Sequence, residues 1–155
     1  MKSEQVRDRL RKLLEDQPLG VLAASGSEAP HASLVAFAAT EDLREIVFAT
    51  SRATRKFECL RQNPNAALLV DDRSNDVRDF RDASAATAHG VAAEVDSGRL
   101  EELRELYLSK HPYLDDFVRA PSCALMSIAV ETYDLVGNFQ EVHVLHMDHG
   151  LDPTD

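Results

Sequence analysis

Tryptophan is absent from this 155-residue sequence, cysteine occurs twice, and aromatic residues make up 6%. Two cysteines, Cys59 and Cys123, cannot build the disulfide framework of a small secreted scaffold. Their apolar neighbours point to buried, reduced thiols, which fits a cytoplasmic protein. No apolar run approaches the roughly 20 residues that a membrane-spanning helix requires. The opening MKSEQVRDRLRKLLEDQ has no apolar signal core, so no export is expected. Positive charge is scarce: 17 Lys and Arg stand against 27 Asp and Glu, a formal charge of -10. Nucleic-acid binding needs Lys and Arg spread over an extended face, so that class is excluded. There is no GxxxxGK[ST] loop, no GxSxG and no CxxC pair. P-loop, α/β-hydrolase and zinc-ribbon chemistry therefore have no support.

What is present reads as one folded unit. The apolar share is 44% and the charged share 28%, ordinary for a globular domain. Residues 3–16 have the spacing of an amphipathic helix, with Val6, Leu10, Leu13 and Leu14 on one face, Ser3 as expected N-cap and Pro18 limiting extension. Apolar segments 19–25, 31–40 and 44–51 are joined by short turns, which predicts an antiparallel meander. A short helix (52–62), a strand (66–72), a polar loop (73–82) and a long strand (84–95) follow; Gly90 in that strand marks a bulge or a close backbone approach. Residues 97–110 predict a helix with Leu100, Leu103, Leu106 and Tyr107 on one face, followed by a helical turn near 112–119. Strands are expected at 123–136 and 139–147. The sum is a mainly β (α+β) fold: a six- to seven-stranded antiparallel β-barrel with peripheral helices. Residues 1–147 are expected to form a single domain, and 148–155 a flexible tail.

Chemistry concentrates in ATSRATRKFECLRQNPNAALLV, residues 49–70. The first amides of a helix lack intrahelical partners, and the helix dipole favours an anion there. Ser51 and Thr54 add hydroxyls, Arg55 a bidentate fork and Lys56 a point charge. Phe57 and Leu60 would bury the opposite side. The set suits one phosphate monoester; on charge alone, a solvated, salt-bridged helix face fits equally well.

The order of these features resembles the pyridoxamine 5'-phosphate oxidase-like, FMN-binding split-barrel family. The resemblance rests on Thr50, Ser51, Arg55, Lys56, Asn63-Pro64 and AALLV, on the upstream GVLAASGSEAPHASLVAF, and on the downstream HGVAAEVD with its following helix. It covers roughly residues 5–147, and the C-terminal third resembles a branch of mostly uncharacterised members. It implies a split barrel that dimerises with FMN at the subunit interface. Arg55 and Lys56, helped by Ser51 and Thr54, would hold the FMN phosphate, and Thr50 would lie near the ribityl chain or ring edge. Ser33, Leu34 and Val35 would run along the isoalloxazine. The second subunit would contribute the start of the 84–88 strand and Asn138, Phe139 and Gln140. Family oxidases carry an arginine where this sequence has Ser33, a glutamine where it has SAA (84–86), and a C-terminal Arg-His pair that it lacks. The resemblance thus implies FMN binding and a small oxidoreductase of unknown substrate more than vitamin-B6 oxidation. The alternative is a non-catalytic flavin or haem carrier on the same fold.

His143, His146 and His149 could ligate a metal only if their segment turned helical; in a strand, 143 and 146 face opposite sides. Surface histidines are the plainer reading. His31 and His89 read as packed or edge histidines, and Asp71, Asp72, Asp76, Asp79 and Asp82 as a solvated acidic loop without calcium-site spacing.

Overall fold

A computed structural model describes residues 2–27, 29–138 and 141–147. Helix α1 (Ser3–Asp16) precedes strands β1 (Leu19–Ala24), β2 (His31–Ala39) and β3 (Glu45–Ser51). Helix α2 (Arg55–Gln62) and β4 (Asn65–Asp71) follow, then α3 (Asp79–Asp82) and β5 (Ala85–Glu94). Helices α4 (Leu100–Lys110) and α5 (Asp115–Arg119) lead to β6 (Cys123–Gly137) and β7 (Glu141–His146). All strand pairings are antiparallel, in the order β3-β2-β1-β4-β5-β6-β7. β3 also pairs with β6, so six strands close into a barrel and β7 extends β6 beyond the closure. Closure shortens the exposed edges that an open sheet of this size would carry, leaving the start of β2 and the outer side of β7 unladdered among the described residues.

The barrel interior is filled by alternate residues such as Leu22, Phe37, Ile46, Phe48, Leu68, Ile128 and Tyr133. α1 covers one opening with the four residues its spacing predicts. α2 packs into the core through Leu60 and Cys59, with Phe57 partly buried behind them. A second cluster lies outside, where Leu103 and Tyr107 of α4 and Val118 of α5 cover Val47, Ala49 and Leu125. β3 is therefore buried on both faces, which explains its unbroken apolar run IVFA.

Local departures from the sequence reading have simple causes. Ser3 is the first helical residue, and Lys2 takes the cap position, its amide donating to Gln5 Oε1 at 2.9 Å. The stretch expected to be a loop contains α3, because Asp79 accepts from the amides of Ser74, Asn75 and Asp76 and so winds the chain into a turn. Gly90 sits at a register shift in β5, where a Cβ would collide with the carbonyl oxygen of Ala129. Both cysteines are buried and free. Among the described residues, no helix is long and apolar enough to cross a membrane.

One buried polar group ties the outer layer to the barrel. His111, fully buried after α4, donates from Nε2 to the Phe37 carbonyl at 2.7 Å, and its ring lies 5.0 Å from that of Tyr107. Burial pushes its pKa below the usual 6.5. The unfolded chain then binds the extra proton first, so folding stability should fall as pH drops below 6.5 toward the lower folded value, and level off beneath it. Urea melts between about pH 7.5 and pH 5 should show that loss, and His111→Gln should flatten it. Equal slopes in both proteins would remove His111 as the cause.

Candidate functional site

The geometry starts where β3 hands over to α2. Thr50 is 1% exposed, so its hydroxyl must be satisfied internally. Both threonine hydroxyls reach the Ser51 carbonyl, Thr54 Oγ1 at 2.9 Å and Thr50 Oγ1 at 3.2 Å, and they lie 2.9 Å from each other. Thr54 Oγ1 also accepts from the Phe57 amide at 3.3 Å, so Thr54 is the N-cap of α2. Ser51 Oγ accepts from the Ala53 amide at 3.2 Å and keeps its own proton to donate. The Glu58 amide reaches the Thr54 carbonyl, and the Arg52 amide the Ser122 carbonyl. Among the described residues, the amides of Arg55 and Lys56 have no acceptor.

The side chains of the same two residues are also uncommitted. Arg55 and Lys56 make no ion pair or hydrogen bond among the described residues, whereas Arg52 and Arg61, on either side, are paired to Glu94 and Glu58. The Arg52–Glu94 pair is bidentate, at 2.8 and 2.6 Å, with the guanidinium 5.8 Å from the Phe57 ring centroid. The hydrogen bond from Arg52 holds the Glu94 carboxyl below its usual range. So two amides, two cations and one hydroxyl donor on a single turn are left without partners among the described residues. At the far end of α2, Gln62 accepts from the Ser27 amide at 3.0 Å and Asn63 donates to Ser25 Oγ at 3.2 Å, which fixes the helix to the β1–β2 turn.

β2 runs beside this turn. Its ladder with β3 ends at Phe37 and Phe48, so residues 33–35 have no ladder partner on the β3 side. Ser33 and Val35 point into the barrel, Val35 as a core residue and Ser33 with an Oγ that is buried and unpartnered. Leu34 points outward and is 65% exposed. It opens an apolar outer face: Val21 pairs with both Leu34 and Leu69, and Leu19, Leu69 and Val91 are also exposed. Asn138 adopts a left-handed φ of 45° beyond β6 and donates to Glu141. It lies at the opposite end of β6 from Cys123, which pairs with Ser51, so about 45 Å of strand separates it from the turn. Phe139, Gln140, His149 and residues 148–155 lie outside the described residues.

The other histidines stay apart. His143 and His146 alternate along β7, and His143 lies 3.3 Å from Glu141. His89 contacts Asp134 at 3.1 Å on the surface. Among the described residues, no group of three or more His, Cys, Asp or Glu could hold a metal ion. The sequence reading places Arg55 and Lys56, not Arg52, at the anion site; the partner that occupies Arg52, Glu94 of β5, is brought across only by the fold.

A closed antiparallel barrel with a seventh strand split from it, helix-capped at the β3–α2 junction, defines a split-barrel protein. The model of the pyridoxamine 5'-phosphate oxidase family matches residues 6–137, and the chain belongs to that family. Among curated proteins, none matches significantly. A haem-binding protein from Mycobacterium smegmatis superposes with a TM-score of 0.81 at 17% identity, over 94% of this chain and 58% of that one. General Stress Protein 26 from Bacillus anthracis gives 0.71 at 18% identity, over 92% and 99%. An FAD-binding protein from Mesorhizobium loti gives 0.66 at 20% identity, over 82% and 89%. At these identities the likeness concerns the fold.

Thr54 is the keystone of the turn. Thr54→Ala should cost about 1 kcal/mol of stability by loss of the cap, and Thr54→Ser much less, in denaturant melts. An alanine variant as stable as the parent would show that the cap contributes nothing.

Proposed function

We propose that this chain is a homodimeric FMN-binding flavoprotein and a small oxidoreductase. The reading is carried by the coincidence of two uncommitted amides and two uncommitted cations, Arg55 and Lys56, at the N-terminus of α2. A phosphate monoester offers the dianion and three acceptor oxygens that such a turn can saturate. Arg55 would grip two oxygens, Lys56 would add charge, and Ser51 would donate its free proton. The same turn gives no reason to prefer haem, and His143 and His146, on opposite faces of β7, would not ligate one iron together.

Bound FMN would supply hydride and single-electron transfer, and the protein would supply orientation and a dry setting. The unladdered edge of β2 at 33–35 offers backbone groups to the polar rim of a flavin ring, and Leu34 an apolar side chain to its face. Ser33 stands where family oxidases have an arginine, and β2 carries no Lys or Arg to hold a phosphorylated substrate. The exposed row Leu19, Leu34 and Leu69 supports a dimer, since a second subunit would remove it from water.

Titration with FMN, followed by fluorescence quenching, tests the site, with riboflavin as control. FMN should bind much more tightly than riboflavin. Arg55→Ala with Lys56→Ala should cost at least about 3 kcal/mol, from charge-assisted bonds worth about 1.5–3 kcal/mol each. An unchanged affinity in the double variant would end the cradle reading; a Soret band on haem addition, with no FMN uptake, would turn the assignment to a haem carrier. Light scattering should give a dimer, and Leu34→Glu should shift it to monomer; a parent protein that binds FMN as a monomer would contradict a shared site.

A further inference from the structure

A cavity of about 380 Å³ lies between α1, the end of β2 and α4, at the β2–β3 turn. The α2 cradle is at the other end of β3, about 20 Å away along seven residues of strand. Its floor is apolar, formed by Leu14, Ala38, Leu43 and Leu106. It adjoins a second hollow that shares Thr40, Glu41, Leu106 and Ser109. Lys110, the last residue of α4, lines the cavity. Its Nζ donates to the Leu14 carbonyl at 2.7 Å and lies 3.9 Å from the centroid of the buried Phe37 ring. Carbonyl and ring hold the group in place, but neither neutralises its charge.

We propose that this cavity captures small aliphatic aldehydes, with the Lys110 amine forming an imine to the bound carbonyl carbon. The ammonium first loses a proton to solvent. The neutral nitrogen then adds to the carbonyl carbon, and water leaves as the C=N bond forms, so the step needs no oxidant or reductant. The alkyl chain would lie on the apolar floor. Burial supports the chemistry by lowering the Lys110 pKa from 10.5 to about 8. Glu15 and Asp16 on α1 oppose that shift. Arg11 and Glu41 stand at the rim, and His111 follows in sequence. Near pH 8 Lys110 therefore holds more free amine than an ordinary lysine, although the Leu14 carbonyl and the Phe37 ring favour the ammonium.

The test uses the intact protein. The chain has only four lysines, Lys2, Lys12, Lys56 and Lys110. The protein is treated with ethanal, butanal or hexanal at limiting concentration, each with cyanoborohydride to trap the imine, and digested for peptide mass mapping, which separates the N-terminal amine from the side chains. At about pH 8, Lys110 should be alkylated about tenfold or more faster than Lys12, whose exposed ammonium is bound by Asp16. That preference should grow from ethanal to hexanal as the chain fills the cavity. Labelling of Lys110 no faster than Lys12 would overturn the proposal. So would a preference that does not change with chain length, because the cavity would then play no part.

Discussion

The pairing of β3 with β6 is the constraint on which the structure depends. It runs the whole length of β3, from Glu45 opposite Ala129 to Ser51 opposite Cys123, and it closes the barrel. Closure gives β3 two buried faces, one on the barrel core and one beneath α4 and α5. A strand buried on both faces and laddered to β6 along its whole length has little freedom at its end, even where β2 has left its other edge. The turn that follows is correspondingly fixed, with Thr50 buried, Thr54 capping α2 and the Arg52 amide tied to Ser122.

That rigidity matters for electrostatics. Exposed ion pairs contribute little stability in water, yet they decide which charges remain available. In this acidic chain the arginines on either side of Arg55 and Lys56 have carboxylate partners, Arg52 with Glu94 and Arg61 with Glu58. The fold leaves Arg55 and Lys56 out of that pairing, beside two amides that the helix cannot use. Preorganised donors around a small anion need little reordering on binding, which is how a modest set of contacts gains affinity. β2 and β3 part at the same end, so backbone becomes available next to the charge.

Much of the fold was legible because strong local patterns and global packing agree. The spacing of Val6, Leu10, Leu13 and Leu14 predicts the face α1 buries, and Gly90 predicts the β5 register shift. The family assignment, too, was readable from the order of TS, RK, NP and AALLV. The misreadings are local. α3 was hidden in a polar run because its turn is organised by the Asp79 carboxylate, not by an apolar stripe. Ser3 looked like a cap because the residue type was right; hydrogen bonding begins one residue earlier. In the candidate site, the internal hydrogen bonds of Thr50 and Thr54 give both a part in building the turn that residue type alone did not reveal.

By itself, then, the sequence determined every strand and every helix except α3, their apolar faces and the place where cations and hydroxyls gather, because periodicity and turn chemistry are local properties of the chain. Only the tertiary structure decided which of those groups are free. Glu94, which takes up Arg52, is 42 residues away. The Leu14 carbonyl that receives Lys110 is 96 residues away, and Phe37, whose carbonyl satisfies His111, is 74 residues away. Such pairings depend on barrel closure, which brings distant strands and helices within hydrogen-bond reach, and no local pattern encodes them.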